Sequence, residues 1–402
     1  MRRLLAVTCL VLLWSLNLTA QDLVITNAHI IDGNGGVIPR GTVVVRNGRI
    51  ASVAPGATAA PGLMVIDAKG MTVMPGLIDA HRHIIQGNAD QWMKDQAAKK
   101  MQDFLDAGFT TILSAGDALN PILELRRKLA SGEIKGPRLI AAGRVETTVT
   151  PEAARASVRM MKAAGVDVIK SRLELAPDFK ERTPADKAKV KETMAAIADE
   201  ARKAGIPTIV HASTVPDMLA CVEARVTRLV HTPHGSWLSP EDAKIVAQSG
   251  IPVTSTISFG VPAFGVFGDR SDNAPRFRDG KPWPAGVPGG TGRAAGEKAV
   301  NGRTLFDAGV LYGYGTDTGF LPADSLAHEL RPLYLVFSAK DIITIMTKNT
   351  AAWLDMSKDI GTLEAGKQAD IVIIDGDPLN QIFDLLKVKT VIQKGKVVVD
   401  KK

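Results

Sequence analysis

Between Leu23 and Met74 short apolar runs alternate with turn residues. Leu23-Val24-Ile25, Thr42-Val43-Val44-Val45 and Met64-Val65-Ile66 are rich in β-branched residues and read as strands. Asn-Gly at 47–48 and Pro-Gly at 55–56 and 61–62 separate them as turns. The last forty residues repeat the pattern in Asp370–Ile374, Val388–Ile392 and Val397–Val399, with Lys394-Gly395-Lys396 turning between the last two. The middle of the chain has a different period. Five times an amphipathic stretch ends in a small residue plus Gly and runs into an apolar segment: at Gly108, Gly165, Gly205, Gly250 and Gly309. Gly just past a helix end takes the left-handed conformation without strain. Val190, Met194, Ile197 and Ala201 recur at helical spacing with Lys and Glu between them. The segments Leu77–His83, Thr110–Leu113, Arg138–Ala142, Val166–Ile169, Ile206–Val210, Arg228–His231, Val253–Ile257 and Val310–Gly313 read as strands, mostly apolar as strands covered on both faces are. Eight β/α units over about 280 residues predict a TIM (β/α)8 barrel. No Gly-rich phosphate loop follows a strand, which argues against a doubly wound sheet.

The first twenty residues form a separate pattern. Arg2-Arg3 is followed by the almost wholly apolar Leu4–Leu16 and the exit Asn17-Leu18-Thr19-Ala20. This is the layout of a secretory signal peptide over residues 1–20, and it predicts a secreted or periplasmic protein. Removing it lowers the net charge from +7 to +5 and leaves Cys221 as the single thiol, expected to be buried and inert. The positive charge is dispersed, with three Tyr and five Trp in the chain, so nucleic-acid binding is not expected. No apolar run reaches the roughly 18 residues of a membrane span, so no membrane anchor is expected.

The chemistry lies in the histidines. His81 and His83 follow the first barrel strand, and residues i and i+2 of a strand share a face, so two imidazoles can converge on one ion. A His-x-His pair alone is unspecific, but active sites of this fold lie at the C-terminal ends of the strands. His211, His231 and Asp317 close the fifth, sixth and eighth strands. Four His and one Asp at strand ends together predict a metal site. Lys170 ends the fourth strand and is expected at the same mouth. A buried Lys among cations loses its proton readily, because desolvation and like charge both depress its pKa. A neutral amine can take up carbon dioxide as a carbamate, an anion able to bridge two metals.

Met74-Pro75-Gly76-Leu77-Ile78-Asp79-Ala80-His81-Arg82-His83 resembles the signature of the amidohydrolase superfamily, and Gly361–Val372 resembles its C-terminal strand motif. The resemblance covers residues 21–402 and is closest to the imidazolonepropionase-like branch, which includes metallo-dipeptidases. It implies a composite β-sandwich from residues 21–74 and 359–402 beside a barrel over 75–358. It implies that His81 and His83 hold one metal and His211 and His231 the other. Lys170 would be the carboxylated bridge, and Asp317 the last ligand and proton shuttle. Dipeptidases of this branch often carry Gly-Gly-His after the third strand, where this chain has Gly143-Arg144-Val145-Glu146.

These readings predict a hydrolase with two divalent ions, most simply zinc, that cleaves an amide of a small molecule such as a dipeptide or N-acyl amino acid. A metal-bridging hydroxide would attack, and Asp317 would move the proton to the leaving nitrogen. A mononuclear deaminase or cyclic-imide hydrolase, which needs no Lys170, and a lactone or ester hydrolase are the rivals. A non-catalytic scaffold would lack ligands, and none is missing. Arg144 and Arg172 are candidate carboxylate contacts, and His234 a candidate pocket residue. His29 and His328 are expected to be structural. Phe259–Gly292, rich in Gly and Pro, is expected as a lid carrying Arg276, Arg278 and Trp283. A homo-oligomer is left open.

Overall fold

The computed structural model describes residues 22–58, 61–177, 180–259, 277–278, 281–282, 292–319 and 321–401. The signal-like start and nearly all of 260–291 lie outside these residues, and so do the side chains of Arg276, Arg278 and Trp283.

Eight parallel strands run in sequence order around a barrel: Leu77–Arg82, Phe109–Ser114, Arg138–Arg144, Val168–Arg172, Thr208–His211, Arg228–Val230, Val253–Thr254 and Tyr312–Gly313. The first and eighth meet where the Ala80 amide donates to the Tyr314 carbonyl at 3.0 Å. The helix ends are the ones the Gly positions foretell: φ is +87° at Gly108, +83° at Gly165, +61° at Gly205, +71° at Gly250 and +89° at Gly309. Helix starts are set by hydroxyl caps. Thr150, Thr183, Thr214 and Ser239 each accept from the amide three residues on, and each has Pro in the first two helical positions. Helix Pro184–Lys203 buries Val190, Met194, Ile197 and Ala201, the stripe read from their spacing.

Several strand boundaries differ from the expectation, and two of the differences matter most for the site. The fourth strand starts and ends later, so Lys170 is its third residue and Arg172 its last. The seventh is only Val253–Thr254, because Thr256 turns into the left-handed region at φ +44°.

Strands from both ends of the chain form a second, separate sheet. Its order is Lys396–Asp400, Val388–Gln393, Ile371–Ile374, Thr72–Pro75, Leu23–Ile31, Val37–Arg46 and Arg49–Pro55, with Met64–Asp67 also on Leu23–Ile31. All eight strands are connected by hydrogen bonds, so the sheet wraps one core of its own that includes Leu23, Ile25, Val43, Ile371 and Ile392. Ile371–Ile374 pairs with Thr72–Pro75, which places the C-terminal tail beside the entrance to the first barrel strand. His29 sits in this sheet, near Thr72 and Asp377, away from the barrel mouth. Cys221 is buried, and burial pushes its thiol pKa up, as an inert thiol requires.

Candidate metal centre

A cavity of about 640 Å³ opens at the C-terminal ends of the barrel strands. Lys170, His81, His83, His211 and Asp317 line it. The Nε2 atoms of His81 and His83 lie 3.2 and 3.0 Å from Oδ1 of Asp317, and Nε2 of His231 lies 3.7 Å from its Oδ2. One ligand atom each from His81, His231 and Asp317 fall within 4.8 Å of one another. The His211 and His231 rings are 4.2 Å apart between centroids. His83 is the outermost of the set, with its side chain 44% exposed.

The backbone that delivers these groups is held tightly. The His81 carbonyl accepts from the Asp317 amide at 2.7 Å, which ties the first strand end to the eighth. Asp79 accepts from the His81 amide at 3.1 Å and from the Thr316 hydroxyl at 2.7 Å. Arg82, fully buried over the Phe104 ring, donates to the Thr316 and Thr318 hydroxyls. Gly315 is needed for this closeness: a Cβ there would stand 2.5 Å from Thr254 Cγ2 and 2.8 Å from His81 Cβ. His231 and Asp317 have φ of +86° and +54°, a cost that non-Gly residues bear where the surroundings over-determine them. Thr256 Oγ1 holds His231 Nδ1 at 2.7 Å and leaves Nε2 as the atom turned to Asp317.

The electrostatics suit a cation. Burial, helped by Lys170, pushes the His81 pKa down to about 3, and burial beside His211 pushes His231 well below its usual value. Burial also raises the cost of charge on Asp317, but the imidazoles of His81 and His83 hold its carboxyl well below the carboxylate range. Neutral His81 and His231 beside an ionised Asp317 are the protonation states of metal ligands. Burial, with Arg172 and Arg144 nearby, lowers the Lys170 pKa to about 7. Its Nζ is buried without a hydrogen-bond partner, as is Nε2 of His231. Buried polar atoms are almost always satisfied, so two such atoms at one mouth fit a site completed by a ligand.

The sequence profile of the amidohydrolase family matches residues 72–398. The chain belongs to the amidohydrolase family. As a family member it is a hydrolase of carbon–nitrogen bonds, and divalent metal is the family's general cofactor. Among similar proteins is the imidazolonepropionase of Alkaliphilus oremlandii, 23% identical, with 96% of this chain and 98% of that one covered. Another is the imidazolonepropionase of Thermoanaerobacter pseudethanolicus, 24% identical over 87% and 88%. Of the solved structures, a Bifidobacterium longum protein assigned to the prolidases is similar at TM-score 0.78 and 26% identity, covering 96% and 97%. A Xaa-Pro dipeptidase with bound methionine shares the fold at TM-score 0.76 and 23% identity, covering 94% and 100%.

Around the metal-ligand candidates this amidohydrolase keeps a charged rim. Arg144 and Arg172 both line the cavity and are 61% and 57% exposed. Each pairs with a Glu two residues on, Arg144 with Glu146 at 2.5 Å and Arg172 with Glu174 at 3.4 Å. His234 is set back: its amide donates to the Ser213 carbonyl, it is not among the residues lining the cavity, and burial beside Lys298 lowers its pKa to about 4. His328 is buried in helix Pro322–Val336, a structural position.

Three residues of the site were not singled out from sequence. Glu174 Oε1 lies 3.2 Å from His211 Nε2, Thr256 holds His231, and Asp117 accepts from the Ile84 and Ile85 amides and the Ser114 hydroxyl beside His83. Asp117 and Thr256 do follow strands, so a wider reading of strand ends would have included them. Glu174 follows the fourth strand by two residues and would have come in with them.

Proposed function

We propose that this amidohydrolase hydrolyses an amide bond of a small, carboxylate-bearing molecule such as a dipeptide or N-acyl amino acid. It would do so with two divalent cations, most simply zinc, held by His81, His83, His211, His231 and Asp317 and bridged by carboxylated Lys170. The observation that carries this reading is Lys170, 8% exposed, its Nζ unpartnered at the mouth that the imidazoles share. A neutral amine there forms the N–C bond to carbon dioxide and releases a proton to solvent, turning a stranded base into an anionic ligand. Such cations supply Lewis acidity to the carbonyl and acidity to the attacking water. Asp317 takes the proton of that water and returns it to the leaving nitrogen. Arg144 and Arg172 face the substrate from the third and fourth strands and pair with its carboxylate in bidentate fashion. The signal-like residues 1–20 support an extracytoplasmic setting for this chemistry.

One observation favours a second reading. His81, His231 and Asp317 alone form a group within ligand distance among the described residues, which suits one metal and the ring-opening of a cyclic amide. Imidazolonepropionases are among the similar proteins. Metal content separates the two readings. Zinc-loaded protein assayed against N-acyl amino acids, dipeptides, cyclic imides and lactones should hold two ions and turn over the open-chain amides. One ion per chain with turnover of cyclic imides alone would replace the first reading by the second.

A further inference from the structure

His211 differs from the other imidazoles of the centre in what holds it. Its Nε2 faces two side chains, Ser213 Oγ at 2.7 Å and Glu174 Oε1 at 3.2 Å. A hydroxyl can donate or accept, so Ser213 leaves the tautomer open. An ionised carboxylate only accepts, so Glu174 requires the proton on Nε2. Nδ1 is then bare, and it is the one atom of His211 able to bind a cation.

We propose that Glu174 is the positioning residue of His211: its carboxylate accepts from Nε2–H, assigns Nδ1 to the metal and strengthens that nitrogen as a donor. A carboxylate behind a ligating His is the usual way in which a ring's tautomer and orientation are fixed. The backbone around Glu174 is anchored without help from its side chain. The Leu173 amide donates to the His211 carbonyl at 2.9 Å, the Leu175 amide to Asp217 at 2.8 Å, and Arg182 to the Glu174 carbonyl at 2.8 Å. Replacing the side chain therefore leaves the loop in place and removes only the acceptor. Glu174 also pairs with Arg172 across 3.4 Å, so one carboxylate links the substrate-facing cation to the metal-facing ring. This inference rests on the metal reading above.

The test is made on full-length mature protein, stripped and reloaded with zinc. Zinc affinity is measured by competition with a chromogenic chelator, and the His211 tautomer by nitrogen NMR of histidine-labelled apo protein. Glu174→Ala should weaken the weaker zinc site about 10–100-fold. It should turn a pure Nε2–H signal for His211 into a tautomer mixture, with the apo melting temperature unchanged. Glu174→Gln, which keeps an acceptor oxygen, should retain most of the affinity and the Nε2–H signal. Wild-type zinc affinity together with an unchanged tautomer in Glu174→Ala would overturn the inference alone. A wild-type chain that binds no zinc would overturn the metal reading and the inference with it.

Discussion

His83 Nε2 lies 3.0 Å from Asp317 Oδ1, across the seam where the first and eighth barrel strands close. The contact joins residues more than two hundred positions apart, and it makes one carboxylate the shared partner of several imidazoles. That sharing separates two roles for Asp317, since a ligand oxygen and a proton acceptor are different demands on the same group. Asn keeps the size and one ligand oxygen but moves no proton. Asp317→Asn is expected to fold, keep most of its metal and lose turnover by about two orders of magnitude or more, the worth of a positioned acid/base. Turnover and metal content measured on one preparation check this. Near-normal turnover with full metal would make Asp317 structural.

Lys170→Ala should lose much of the metal and most of the activity, because the site loses its proposed carbamate bridge. Short carboxylic acids should restore part of the turnover by standing in for the carbamate. Removal of carbon dioxide during reconstitution of wild type should slow recovery of activity, and added bicarbonate should reverse it. Full activity of the variant in bicarbonate-free buffer would end the bridging role.

Arg144 and Arg172 should act on substrates that carry a free carboxylate. Alanine at either position is expected to raise KM for such an amide, by roughly 10-fold or more for a charged hydrogen bond of about 1.5–3 kcal/mol. The methyl ester of the same compound should show little change. Equal effects on acid and ester would leave both arginines with their glutamate partners alone.

Lys298 is buried in helix Gly292–Asp307, and its Nζ donates to the Phe259 carbonyl at 2.7 Å. Burial lowers its pKa from 10.5 to about 8, outweighing the pull of Glu329 and Asp317. A base with a folded pKa below its unfolded one binds fewer protons when folded, so stability rises with pH between about 8 and 10.5. Below that window the cost is fully present. Lys298→Met should remove this rise of roughly 2–3 kcal/mol. Denaturant melts of wild type and variant at pH 7.5 and 10 decide it, and parallel pH profiles would be the contrary result.

Export gives a prediction of its own. Protein isolated from the extracytoplasmic fraction of its native cells should have an intact mass that begins near Gln21. A full-length chain recovered from the cytoplasm would overturn the assignment.

Much of this architecture is written in local sequence. The five small-Gly helix ends, the hydroxyl-Pro helix starts and the apolar strand cores are short-range signals, because propensity, capping and the 3.6-residue period act within a few residues. The place of His81, His83, His211, His231 and Asp317 at strand ends follows from the same signals, since a barrel turns every strand end to one mouth. Boundaries were less legible. The fourth strand runs on to Arg172 because Ser171 and Arg172 pair in register with Val210 and His211, a neighbour that lies forty residues away.

What only the tertiary structure decided is which side chains meet. Glu174 reaches His211, Thr256 reaches His231, and Asp79 reaches Thr316, all between separate strands or loops. No period or motif links such positions, because their approach is set by barrel closure, by the room left at Gly315 and by left-handed turns at His231, Thr256 and Asp317. Sequence by itself determined the candidate metal ligands and the end of the barrel they occupy. The fold determined their distances, their protonation and the partners that hold each ring, because those depend on burial and on contacts made only when the first strand meets the eighth.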